Sequence, residues 1–136
     1  MINYGERAAQ LFSEGYNCAQ SVVGAFAEKF DLPLDTVVKL ASSFGGGMAG
    51  TRGICGTVSG MLMAMGLANG YCDPAAKQEK QEHYELCRKA MDEFSELCGS
   101  VICSELLVLQ KNGAEKKKPC GELCRIAADI AAKYMK

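Results

Sequence analysis

Apolar residues recur along this chain at intervals of three and four, and no stretch shows a convincing alternation of period two. Every element the pattern predicts is therefore a helix. The first covers residues 4–13, after the cap candidate Asn3, and stops at Gly15. The second opens at Asn17 and carries Cys18, Val22, Phe26 and Phe30 at four-residue spacing, with Ala19 and Val23 beside them. Asp35 caps a third, with Val37, Leu40, Ala41 and Phe44 as its inward stripe and Gly45, Gly46 and Gly47 as its end. Residues 54–67 are apolar all round, as expected of a helix enclosed by others, and Gly56, Ser59 and Gly60 would let neighbours approach closely. Asp73 and Pro74 start the longest helix, over 74–98, with Tyr84, Cys87, Met91, Phe94 and Cys98 on its inner side and Gly99 as its stop. A short helix runs from Ser100 through Leu106, a loop spans 111–119, and a last helix from Cys120 shows Leu123, Ala127, Ile130 and Tyr134. The expected fold is all-α: one domain over residues 1–136, a bundle of six or seven helices around a central apolar helix.

Composition supports a globular chain, since 49% of the 136 residues are hydrophobic and only 23% are charged. A formal net charge of −1 leaves no excess of Lys and Arg to displace phosphate counterions, so no nucleic-acid partner is expected. The run Lys116, Lys117 and Lys118 reads as a solvated loop. The first ten residues, MINYGERAAQ, have no apolar core and do not read as a signal peptide. The uncharged window 53–72 contains Thr57, Ser59, Asn69 and several glycines, so no membrane span is expected either. These readings point to a cytoplasmic protein. Its eight cysteines then suggest redox chemistry or metal ligation rather than a secreted disulfide framework.

Four of these cysteines share a position. Cys18 follows Gly15, Tyr16 and Asn17; Cys55 follows the glycine-rich stretch; Cys103 follows Gly99 and Ser100; Cys120 follows Pro119. Each is expected in the first turn of a helix, where unpaired N–H groups and the helix dipole favour a thiolate and lower its pKa. Cys72, Cys87, Cys98 and Cys124 lie inside or at the ends of helices and read as small packing hydrophobes. Cys124 is the least secure of these, because it shares a face with Cys120 and could act as a resolving thiol.

The segments GYNCAQ (15–20), FGGGM (44–48), CGTVSG (55–60) and GSVIC (99–103), followed by Cys120, resemble the C-GCAxxG-C-C family, which is named for redox activity. The resemblance covers nearly the whole chain in order. It places the four characteristic cysteines of the family at Cys18, Cys55, Cys103 and Cys120, the set already selected by helix starts. The family's CGAxxG signature appears with Thr57 in place of alanine.

The glycine-rich loop has two readings. Gly45, Gly46, Gly47 and Gly56 could direct backbone N–H groups at a thiolate, an anion or a cluster sulfide, or could serve only tight helix packing. A nucleotide loop is a poor reading, for want of Gly-Lys-Ser/Thr at the helix start and of a preceding strand. Arg52 is expected to face solvent.

Three functions compete. The first is reversible thiol–disulfide exchange by Cys18, Cys55, Cys103 and Cys120, which needs no cofactor and implies a redox partner protein. The second is a zinc or iron–sulfur site made by the same four residues, since helical bundles assemble ligands from different helices. The third is a helical interaction domain whose Met61, Met63, Met65 and cysteines only pack. Haem attachment would require Cys-x-x-Cys-His, which is missing, and His83 reads as a solvated surface residue. A homodimer is a reasonable assembly for a domain of this size.

Overall fold

The computed structural model describes residues 2–111 and 119–135, which include all eight cysteines. Seven helices carry the chain: α1 (Tyr4–Ser13), α2 (Cys18–Gly24), α3 (Leu34–Ala41), α4 (Gly56–Asn69), α5 (Lys77–Cys98), α6 (Cys103–Lys111) and α7 (Cys120–Tyr134). Among the described residues there is no strand, and no helix is long and apolar enough to cross a membrane. The fold is all-α, as the periodicity predicts. Residues 112–118 of the expected connection, with Lys116, Lys117 and Lys118, lie outside the described residues.

Local chemistry explains the helix starts. Asn3 caps α1 by accepting from the Glu6 N–H at 3.0 Å. Asn17 and Gln20 form a reciprocal capping box on α2, each side chain accepting from the other's N–H at 2.9 Å. That box fixes the entry angle of the chain into α2 and with it the direction of Cys18, the first helical residue. The Asn17 amide also donates to the Ser42 carbonyl at 3.1 Å, tying this helix start to the end of α3.

The core is a layered contact of α1, α2, α4, α5 and α7. Helix α4 packs against α2, α5 and α7, and α1 packs against α2 and α7. Leu11, Val22, Phe26, Val58, Met61, Met65, Phe94 and Leu123 are fully buried within it, and the Tyr4 ring stacks on Phe26 at 4.4 Å between centroids. A smaller cluster of Ala19, Val23, Ala27, Val37 and Ala41 joins α3 to α2.

Several details differ from expectation. Leu40 is 73% exposed, because the short α3 meets α2 along Leu34, Val37, Val38 and Ala41, a line that leaves Leu40 to one side. Helix α5 begins at Lys77 rather than residue 74: the Asp73 carboxylate accepts from the Ala75 N–H and closes a separate turn. The first half of α5 extends beyond the core, leaving Tyr84 42% exposed while Phe94 and Cys98 are buried. Helix α2 ends at Gly24, and bonds from Phe26 N to Val23 O and from Ala27 N to Gly24 O tighten the following residues into turns. Helix α6 starts at Cys103, not Ser100, because the Ser100 hydroxyl accepts from the Ile102 N–H and donates to Glu105 in a preceding turn.

Candidate functional site

The four helix-start cysteines meet. Cys18, Cys103 and Cys120 are the first residues of α2, α6 and α7, and Cys55 immediately precedes α4. All four line one cavity of about 60 Å³, together with Gly46, Gly47, Arg52, Gly56, Leu106, Leu107 and Gln110. Its walls are mainly apolar, so charge developed on one sulfur is felt strongly by the others.

Two local devices bring Cys55 and Cys103 together. The first is an isolated antiparallel bridge between Ile54 and Ile102. The Cys55 N–H donates to the Val101 carbonyl at 2.8 Å and the Cys103 N–H to the Gly53 carbonyl at 2.7 Å. The bonds flank Ile54 and Ile102 rather than join them, so this is a non-hydrogen-bonded antiparallel pair, and it puts the residues following each on the same side as diagonal neighbours. Two residues paired in this way are too few to produce a readable alternation, which is why the sequence pattern missed the bridge.

The second device is a left-handed turn. Gly46, Gly47, Met48, Ala49 and Gly50 have consecutive φ values of 62°, 71°, 73°, 52° and 75°. Left-handed backbone costs a non-glycine residue roughly 1–2 kcal/mol, so Met48 and Ala49 are held there by their surroundings. The turn closes on itself through Ala49 N to Ser43 O (2.7 Å), Gly50 N to Gly45 O (3.1 Å), Arg52 N to Gly46 O (3.0 Å) and Gly53 N to Gly47 O (2.8 Å). The N–H groups from Met48 to Gly53 are thus used by carbonyls. Gly46, Gly47 and Gly56 do line the cavity, whereas Gly45 packs on the Asn17 side chain. Their role here is close approach: a Cβ on Gly47 would stand 2.7 Å from the Cys103 Cβ, and one on Gly56 would stand 3.1 Å from the Cys18 Cβ.

Cys18 and Cys120 form the second contact. The Cys120 thiol bonds toward Cys18, which favours ionisation of Cys18, but a further bond with Cys124, burial and the nearby Cys55 outweigh it. The net effect pushes Cys18 up to about 12. Contact with Cys18, then burial, drives Cys120 well above its ordinary value, opposed by Gln110 and Arg52. For Cys55, burial raises the pKa and the Thr57 hydroxyl, 3.0 Å from its sulfur, opposes the rise. The depressed pKa values expected at helix N-termini are therefore not found at Cys18, Cys55 and Cys120: desolvation and sulfur–sulfur contact exceed the dipole.

A stability consequence follows. Folded Cys18 keeps its proton to higher pH than the unfolded thiol, whose ordinary value is 9.0, so its contribution is fully present below about pH 9 and is lost as pH rises toward 12. The reduced protein is expected to lose stability over that window, with a shallower loss in Cys18→Ser. Urea midpoints at about pH 8 and about pH 11 measure it, and identical slopes for the two proteins would refute it.

Arg52 is exposed, as expected, and at the same time lines the cavity, with a guanidinium nitrogen 3.8 Å from the Cys103 sulfur. Gln110, whose amide lies 3.8 Å from the Cys120 sulfur, carried no signal in the sequence because it belongs to an ordinary helical stretch. Thr57, which the sequence presents only as a replacement for alanine in the signature, is fully buried and makes a polar contact with Cys55. Cys87 lies outside this site, 3.5 Å from His83 Nε2, and His83 is half-buried rather than solvated. Among the described residues, no three cysteine, histidine or acidic side chains stand in an arrangement that would hold a metal ion.

Fold and site together define a cysteine-rich, all-α protein with four of its eight thiols gathered at helix starts. The chain belongs to the C_GCAxxG_C_C family, described as "Putative redox-active protein", which matches residues 16–134. It is 30% identical over 138 residues to an uncharacterised protein of Archaeoglobus fulgidus, covering 96% of this chain and 91% of that one. No solved structure matches.

Proposed function

We propose that this protein is a thiol–disulfide redox protein using two dithiol pairs, Cys55 with Cys103 and Cys18 with Cys120. The observation that carries this reading is the shared cavity, lined by thiols from four separate helix starts, with Cys18 in contact with Cys120 and Cys55 close enough to feel the charge of Cys103. Cys103 is the entry nucleophile: it is half-buried rather than enclosed, and Arg52 places a permanent positive charge beside its sulfur. Its thiolate attacks a substrate disulfide, forming a mixed disulfide and releasing one substrate thiolate. Cys55 then attacks the Cys103 sulfur, closes the protein disulfide and releases the second substrate thiolate. Two electrons pass to the substrate, and the two cysteine protons end on its thiols. A dithiol partner protein reverses the sequence.

A second reading, in which the four thiolates ligate zinc or an iron–sulfur cluster, draws on the same shared lining but needs side-chain rotation, since the thiols do not stand in a metal-holding arrangement as they are. Both readings meet in one experiment. Anaerobically purified protein is assayed for zinc and iron, and its thiols are counted before and after oxidation by a small disulfide. Disulfide exchange predicts loss of thiols in pairs, abolished for the Cys55–Cys103 pair by Cys55→Ser or Cys103→Ser and unaffected by Cys87→Ser. Stoichiometric metal with no paired loss would replace the first reading by the second, and equal effects of all substitutions would defeat both.

A further inference from the structure

The dithiol scheme leaves one sulfur of the neighbourhood without a role. Cys124 lies one helical turn beyond Cys120 on α7, fully buried among Leu123, Ala127 and Ala128. It is nonetheless in side-chain contact with Cys18, the thiol that also contacts Cys120. Residues four apart share a helix face, so the Cys18 sulfur meets two successive positions of α7, one at the cavity and one in the core.

We propose that Cys124 is a second resolving thiol for Cys18, so that a Cys18 disulfide exchanges between Cys120 at the cavity and Cys124 in the interior. This rests on the thiol–disulfide reading above. In the exchange the Cys124 thiolate attacks the Cys18 sulfur of a Cys18–Cys120 disulfide, and the S–S bond to Cys120 breaks. Cys120 leaves as the thiolate and takes up the proton that Cys124 gave up. No electrons enter or leave the protein, and the bond count is unchanged.

The two positions have different consequences. Cys124 is closed to any external disulfide, so it can be oxidised only through Cys18. Once the bond has moved inward, Cys120 is again a thiol at the cavity. Oxidising equivalents are then stored where a small thiol cannot reach them directly. The packing role expected for Cys124 accounts for its burial but not for the placement of its sulfur against a site thiol.

Oxidation of Cys120→Ser by glutathione disulfide, followed by alkylation and peptide mass mapping, tests this. In this variant the α7 peptide carries Cys124 alone, so its cross-link to the Cys18 peptide is unambiguous. The expected product is a Cys18–Cys124 bond in about tenfold excess over the Cys18–glutathione adduct, because a thiol in contact competes at high effective concentration. Cys120→Ala, which introduces no hydroxyl, should behave alike, and the further change Cys124→Ser should restore the adduct. A Cys18–Cys120 bond in the wild type, with only the glutathione adduct in Cys120→Ser, overturns the inference and leaves the dithiol reading standing. The lack of any intramolecular Cys18 disulfide in the wild type overturns both.

Discussion

Gly47→Ala is expected to disable the Cys55–Cys103 pair and to destabilise the protein by about 3 kcal/mol. Two costs combine there. The residue has φ 71°, where an alanine pays roughly 1–2 kcal/mol for left-handed backbone. Its new Cβ would also stand 2.7 Å from the Arg52 Cα, the Gly53 nitrogen and the Cys103 Cβ, and overpacking of this kind costs about 1–3 kcal/mol. Two of those three atoms are backbone, so relief must come from moving the loop away from α6, which separates Cys103 from Cys55. Gly50→Ala provides the comparison. Gly50 has φ 75° but faces open space, so it should lose only the conformational part and keep the thiol pair. Denaturation midpoints and the rate of disulfide closure check both variants. Equal losses of closure in Gly47→Ala and Gly50→Ala would show that the contact with Cys103 does not matter.

The second large effect is expected at the α2–α4 crossing. A Cβ on Gly60 would stand 2.7 Å from the Ala19 carbonyl oxygen and 2.9 Å from the Val22 Cβ. Ala19 and Val22 are fully buried, so neither can yield sideways, and the two helices must part. Gly60→Ala should therefore cost about 2–3 kcal/mol and slow any reaction that needs Cys18 near the α4 start. Gly66, further along the same helix, has nothing within 4 Å of an added Cβ. There the same substitution should stabilise by about 0.5–1 kcal/mol, the ordinary advantage of alanine within a helix. A thermal melt of the two variants reads this opposition in sign, and a shift in the same direction for both would contradict the crossing geometry.

The legible part of this protein is the part governed by local rules. Apolar spacing locates the helices, and capping chemistry at Asn3 and Asn17 sets their starts. Placing Cys18, Cys55, Cys103 and Cys120 at helix N-termini needs no tertiary knowledge. Legibility fails where the outcome depends on what the rest of the chain supplies. The helix-start argument gave the thiols depressed pKa values, but Cys18 and Cys55 are removed from water and Cys18 is surrounded by sulfur, terms that exist only after folding. Arg52 reads as a loop cation until the left-handed turn brings it back over Cys103. Leu40 fits its stripe by spacing, yet a helix of eight residues has one narrow contact line and leaves it outside. The glycine run was visible as a need for unusual backbone. That its N–H groups would be consumed by its own carbonyls was not, since the five-residue left-handed turn has no compositional signature beyond glycine itself.

Helix α6 is the wall of the cavity least embedded in the body. Among the described residues its attachment consists mainly of the Ile54–Ile102 bridge and the Ser104 N–H to Arg52 carbonyl bond at its root, with the buried Leu106 and the partly buried Leu109. Such a segment detaches at a lower free energy than the core, and its amides should exchange with solvent ahead of those of α4. A bond from Cys103 to Cys55 would rivet that root in place and shut the gap. The chain's own oxidation would then stiffen the one wall that carries the half-buried Cys103.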